Sequence, residues 1–348
     1  FDFVVDALRD IYDESSKNPI DSSLSLNCLM NQLTSSPTQY HIERVIECIS
    51  YLILTIDLIL PEYFNQLRPF LIQLLQSNDI SCIKCSIFCF STFAVKFAAL
   101  VKDDLPQLVQ AIINGIPEKD MQFDHICSTI IINFVDIYPQ SFAQFCPQIL
   151  TSLISIINDQ DMYENIKNVQ RAFEDDQNDN EAQENHRKLS LYSDMRNEAF
   201  NAIATIFGTY ANELAAQSDE IINIIKKSIE DEDEDELLLG LSGFFASVAE
   251  MVPGLIKINK NPDQLIQLYF KARTKMDLYE NDLDCCVKFW TSLKVMASKC
   301  GPPFLAKYGN DILSIINEIF TDRNFRDIHS QTKKQKFILR KEFIVPIT

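Results

Sequence analysis

The chain is 348 residues long, 47% hydrophobic, and carries 31 basic against 49 acidic side chains, a formal net charge of −18. That balance argues against direct binding of nucleic acid, whose phosphates are held mainly by Lys and Arg, and favours basic partners. Only 7 glycines argue against Gly-rich nucleotide folds, and a length beyond one ordinary compact domain suits an array whose units pack on their neighbours.

No signal-peptide pattern follows Phe1, and the two ends read as cut from a longer array. Two short helices are predicted over Phe1–Tyr12 and Ser23–Leu33, separated by Asn18-Pro19, as a partial preceding repeat over 1–37. Val45 to Leu60 is the most apolar stretch, but Glu47 and Asp57 interrupt it. It is also shorter than the roughly 20 residues a membrane span needs, so no membrane insertion is expected.

From Thr38 to 157 the spacing predicts three helical pairs. Pro61 opens the second helix of the first pair, where a missing N–H costs nothing, and Tyr63, Phe64, Leu67, Leu71, Leu74 and Leu75 form its apolar stripe. The next pairs are predicted at about 80–98 with 101–115, closed by Gly115 at C′, and 122–137 with 139–157, opened by Pro139. Residues 158–188, with Asp175, Asp176 and Asp179, read as an acidic polar insertion. Three further pairs are predicted over 189–321: 193–210 with 212–229, 237–252 with 262–276 across a Pro253-Gly254 loop, and 280–299 with 303–320 across Gly301-Pro302-Pro303. A basic segment, 322–348, leads into a truncated next repeat.

One pattern runs through these pairs: an apolar residue, often a Pro, then apolar residues at helical spacing. It is anchored at 69, 106, 147, 219, 263 and 310, with steps of 37, 41, 72, 44 and 47. All but the step that spans the insertion lie near the roughly 40–47-residue period of helical-pair repeats. The fold class is therefore all-α, a right-handed α-solenoid of HEAT-type pairs. The repeats resemble the HEAT family in Leu67-Arg68-Pro69-Phe70-Leu71 followed by Asp79 and Ile83-Lys84-Cys85-Ser86, and again in Asp194-Met195-Arg196 with Ala199.

Among HEAT proteins the chain looks like the importin-β (karyopherin) family of nuclear transport receptors, on its variable unit length, its acidity and its interrupting acidic segments. The resemblance implies a non-enzymatic receptor that shuttles between cytoplasm and nucleus. It would bind basic cargo proteins on an acidic concave face and Phe-Gly nucleoporins on the convex face, under control of the Ran GTPase, whose site could fall outside this chain. It implies no cofactor. A HEAT scaffold of a phosphatase or chromatin complex is the alternative, and an enzyme is a third class. The family carries its acidic loop inside one repeat, whereas the run Glu230, Asp231, Glu232, Asp233, Glu234, Asp235, Glu236 is predicted between repeats here.

That run reads either as a solvated loop near a helix N-terminus or as an electrostatic lure for a basic ligand. If second helices line the concave face, Glu62, Asp103, Asp104, Glu213, Asp219, Glu220, Asp263 and Asp311 form an acidic ladder along it. Asp103 and Asp104 also suit the N-cap of a Pro-started helix. Cys82, Cys85 and Cys89 share a helix face, which cannot converge three thiolates on one ion, so they are read as core. His125 near Asp124 and Cys127 does not form a recognisable catalytic pattern, and Trp290 reads as inter-repeat core. No catalytic or metal residue is assigned.

Overall fold

The computed structural model describes residues 23–33, 38–55, 61–159, 179–230, 234–274 and 283–321. The expected helix Phe1–Tyr12, positions 160–178 of the insertion, Asp231 to Asp233 and the basic segment lie outside them. Two compact units are present, Phe1–Ser152 and Leu153–Thr348. The architecture is all-α, and among the described residues there is no strand.

The first unit contains α1 (Ser23–Leu33), α2 (Gln39–Thr55), α3 (Pro61–Leu75), α4 (Ile80–Lys96), α5 (Leu105–Gly115), α6 (Met121–Ile137) and the start of α7 (Cys146–Ile157). First helices α2, α4 and α6 stack in sequence, and α3 packs against α4, the arrangement of HEAT pairs. Apolar side chains fill the seams: Phe64 of α3 meets Phe90 and Phe93 of α4 edge-on at 5.9 and 5.0 Å. The Ser86 hydroxyl donates to the Leu71 carbonyl at 2.8 Å, tying the same two helices.

Proline shapes the second helices more than the sequence suggested. The expected single helix over 139–157 is divided into a four-residue turn (Pro139–Phe142), a 3-10 turn (Ala143–Phe145) and a main helix, and that over 101–115 into a 3-10 turn (Lys102–Asp104) and a main helix, with a four-residue turn (Ala98–Val101) leading into it. Pro106 and Pro147 are the second residues of those main helices. Each lacks the N–H that would continue the helix from the preceding turn, so the backbone tightens there.

Gly115 is not the left-handed C′ residue; its φ is −83° and Lys119, at φ 57°, takes that conformation after a 3-10 turn. Glycine is required at 115 because a Cβ would lie 2.3 Å from the Phe123 ring of α6. Asp79 and Asp120 cap α4 and α6, accepting from Ser81 N at 2.9 Å and Phe123 N at 2.8 Å.

The second unit contains α8 (Asp179–Thr209), α9 (Ser218–Glu230), α10 (Glu234–Lys257), α11 (Asp263–Thr274), α12 (Leu283–Cys300) and α13 (Pro302–Thr321). First helices α8, α10 and α12 again stack in order. Helix α8 begins at Asp179, inside the stretch read as insertion. Pro253-Gly254 is not a loop but lies within α10. There Gly254 passes 3.2 Å from the Phe207 ring, measured from where its Cβ would be, and Val252 and Leu255 are buried. Gly301, at φ 70°, makes the sharp corner before α13 as anticipated.

An aromatic cluster knits three helices of this unit. Phe245 of α10, Tyr269 of α11 and Phe289 of α12 are mutually within 4.8–5.2 Å, and the Tyr269 hydroxyl donates to the Phe289 carbonyl. Trp290 is buried beside them, as core. No helix among the described residues is long and apolar enough to cross a membrane.

Candidate functional site

Most of the candidate acids gather at the N-terminal ends of second helices. Glu62 is in the first turn of α3, Asp103 and Asp104 directly precede α5, Asp219 and Glu220 open α9, and Asp263 opens α11. Helix macrodipoles favour negative charge at these ends, so local energetics and any ligand-binding role place acids at the same corner. Glu213 lies in the turn before α9, and Asp311 lies midway along α13.

Two of these acids are engaged internally. Asp104 is fully buried, and Arg68 of α3 grips it through Nε at 2.8 Å and Nη2 at 2.6 Å. This clamp joins successive second helices across 36 residues of sequence. It also explains a buried aspartate at a position that could have been exposed. Asp263 accepts from Lys307 Nζ at 2.7 Å and from the Tyr308 hydroxyl, both on α13. The Lys307 bond, then the Tyr308 bond, hold the Asp263 carboxyl below its ordinary range, while burial pushes the Tyr308 phenol up to about 12.

The remaining acids face solvent. Glu62, Asp103, Glu213, Glu220 and Asp311 are exposed, and Asp219 is 77% exposed although Lys260 Nζ lies 2.7 Å away. Glu230 ends α9, and Glu234, Asp235 and Glu236 begin α10. The acidic run therefore connects the second helix of one pair to the first helix of the next, as the sequence indicated. The first helices carry their own cross-links, Lys84 Nζ to Gln122 Oε1 at 3.1 Å and Lys299 to Glu250.

The buried cysteines are poor nucleophiles. Burial pushes the Cys48 thiol up to about 11 and Cys89 up to about 12, and holds Cys85 and Cys127 well above the usual value. Cys127 is 1% exposed, which removes it from any pairing with His125 that substrate could reach. Two features could not be seen in the sequence: the Arg68–Asp104 clamp, and a convergence of Glu43, Asp79 and Cys82 whose ligand atoms lie within 4.8 Å of one another.

No family model and no curated protein matches the chain. Among solved structures, the chain is similar to Kap95p as described for its binding to RanGDP, at 17% identity and TM-score 0.54, over 86% of this chain and 34% of that one. It is also similar to a Kap95:Nup1 complex (14%, 0.49, over 91% and 40%) and to yeast importin-beta, Kap95p (14%, 0.48, over 86% and 38%). The chain thus spans less than half the length of each. The likeness at 0.54 shows the fold: an importin-β-like HEAT solenoid.

Proposed function

We propose that this chain is the receptor array of an importin-β-type nuclear transport factor, binding partners rather than transforming them. The observation that carries this reading is the importin-β-like fold combined with solvent-facing acids at successive second-helix corners. Basic cargo segments are drawn to Glu62 and Asp103 in the first unit, and to Glu213, Asp219, Glu220, Asp311 and the run Glu230–Glu236 in the second. Asp104 and Asp263 contribute by fixing the helices that carry their neighbours. Ran is the further partner suggested by the RanGDP-binding Kap95p that the chain is similar to, Phe-Gly nucleoporin segments are those the family resemblance implies, and shuttling between cytoplasm and nucleus is proposed with them.

The physical basis is long-range attraction by a chain of net charge −18, so affinity for basic ligands falls with salt. The test is fluorescence anisotropy of a labelled lysine-rich peptide at low and physiological ionic strength, with a Phe-Gly peptide in parallel. The expected result is a roughly tenfold or greater rise in Kd for the basic peptide and salt-insensitive Phe-Gly binding. A basic-peptide Kd indifferent to salt, with no Phe-Gly binding, would overturn the reading in favour of a scaffold.

A further inference from the structure

The sequence assigned Cys82 to the core because neighbouring thiols on one helix cannot converge. The structure brings it different company. Glu43 comes from α2, while Asp79 and Cys82 come from the N-terminus of α4, and one ligand atom of each lies within 4.8 Å of the others. Glu43 Oε2 is 3.7 Å from Cys82 Sγ. A tetrahedral zinc ion, with Zn–S near 2.3 Å and Zn–O near 2.0–2.2 Å, sets its sulfur and oxygen ligands roughly 3.5 Å apart.

We propose that Glu43, Asp79 and Cys82 form a binding site for a zinc-class divalent cation that staples α2 to α4. Glu43 is only 9% exposed and Cys82 is fully buried, while Asp79 stands at the exposed edge, so the cluster is a partly buried one that mixes a thiol with two acids. The groups around the Glu43 carboxylate are the Cys82 thiol, a weak donor, the Asp79 and Glu47 carboxylates, and the charge of Arg44. Arg44, the neighbouring cation, turns its guanidinium to Glu47 at 2.9 Å and over the Tyr40 ring. A cation between the three groups answers both carboxylates at once.

The donor set selects the metal class. One thiolate and two carboxylates suit a borderline ion, whereas Ca²⁺ and Mg²⁺ take all-oxygen shells. Asp79 uses one oxygen to cap Ser81 N, which fixes its rotamer and leaves the other oxygen to the ion. Asp79 also lines a cavity of about 1140 Å³ with Asn78, Asn114 and Glu118. Asp79 is exposed, so its side of the cluster is the one open to an entering ion and to water as fourth ligand. On binding, the Cys82 S–H bond breaks, its electron pair forms the metal–sulfur bond, and the proton goes to solvent; uptake therefore tightens as pH rises.

The test is titration of the full chain with Co²⁺, a spectroscopic stand-in for zinc, following thiolate-to-cobalt charge-transfer absorption, then displacement by Zn²⁺. The expected result is saturation at one equivalent, loss of the band in Cys82→Ser, and retention in Cys28→Ser. Asp79→Asn keeps the cap, since Asn caps as well as Asp, and weakens binding by about tenfold or more. No saturable band, a band that survives Cys82→Ser, or unchanged affinity in Asp79→Asn overturns the site. If circular dichroism shows Cys82→Ser unfolded, the Asp79→Asn titration decides.

Discussion

Arg68 and Asp104 are unequal partners: the aspartate side chain is 1% exposed and the arginine side chain 48%. Breaking the pair from either side is therefore not equivalent. Arg68→Ala strands a buried carboxylate and costs about 2–3 kcal/mol, below the full penalty for a completely buried pair because solvent reaches the Arg side. Asp104→Asn leaves a half-solvated guanidinium and costs about 1 kcal/mol. Chemical denaturation of the two variants checks the asymmetry; equal losses would show that the clamp is only a surface pair. By contrast, Lys299→Ala removes an exposed link to Glu250 and costs no more than about 1 kcal/mol.

The same scale yields opposite pH signatures in the two units. The Asp263 carboxyl is held below its ordinary value of 3.8 by Lys307 and Tyr308. In the window between its folded and unfolded values the unfolded chain binds more protons. Its contribution is complete above 3.8 and is lost as pH falls through the folded value. Glu43 runs the other way: its carboxyl is raised above 4.5 by burial, so the folded chain binds more protons and stability declines as pH climbs past 4.5. With chelator present, Glu43→Gln should gain on wild type from pH 4.5 upward, and Asp263→Asn should lose its deficit below pH 3.8. Melting temperatures across this range read both; a Glu43→Gln difference flat with pH would refute the first.

At the scale of elements, α8 and α10 approach so closely that side chains must be absent. A Cβ at Gly243 would lie 2.6 Å from Asn197 Oδ1 and 2.7 Å from its Cα, and the Gly243 N–H donates to that same oxygen. Gly243→Ala must push backbone apart and costs about 2–3 kcal/mol. Gly309, in α13, meets nothing within 4 Å, so Gly309→Ala gains about 0.5–1 kcal/mol from the unfolded chain's lost freedom. Thermal denaturation of the two variants should move in opposite directions.

These helices also show what the sequence could and could not disclose. Pro61, Pro139 and Gly301 mark real corners because each acts locally, through a missing N–H or a left-handed φ. Pro253-Gly254 sends the same local signal, yet α10 runs through it because packing against α8 outweighs a lost helical bond. The start of α8 was hidden for another reason: 179–188 is polar on every face, so periodicity has nothing to report. The clamps and the Glu43–Asp79–Cys82 convergence join residues about 40 positions apart, a distance at which a single sequence holds no pairing information.

For the whole molecule, the open quantity is how the acidity divides between the run at 230–236 and the second-helix corners. Replacing the run's seven acids with Gln and Asn brings the formal charge from −18 to −11. Replacing Glu62, Asp103, Glu213, Asp219, Glu220 and Asp311 removes six charges, leaving Asp104 and Asp263 to hold the helices. If attraction is a field effect, both variants lose affinity for a basic peptide in near proportion to charge, chiefly through slower association at low salt. If the corners make contacts, the second variant loses more and the loss appears in dissociation, persisting at physiological salt where the Debye length is about 8 Å. Distributed acids on and beside rigid helices meet a ligand in fixed geometry, so we expect the second outcome. Stopped-flow rates for the two variants decide it, and equal dissociation rates would reduce the ladder to a source of charge.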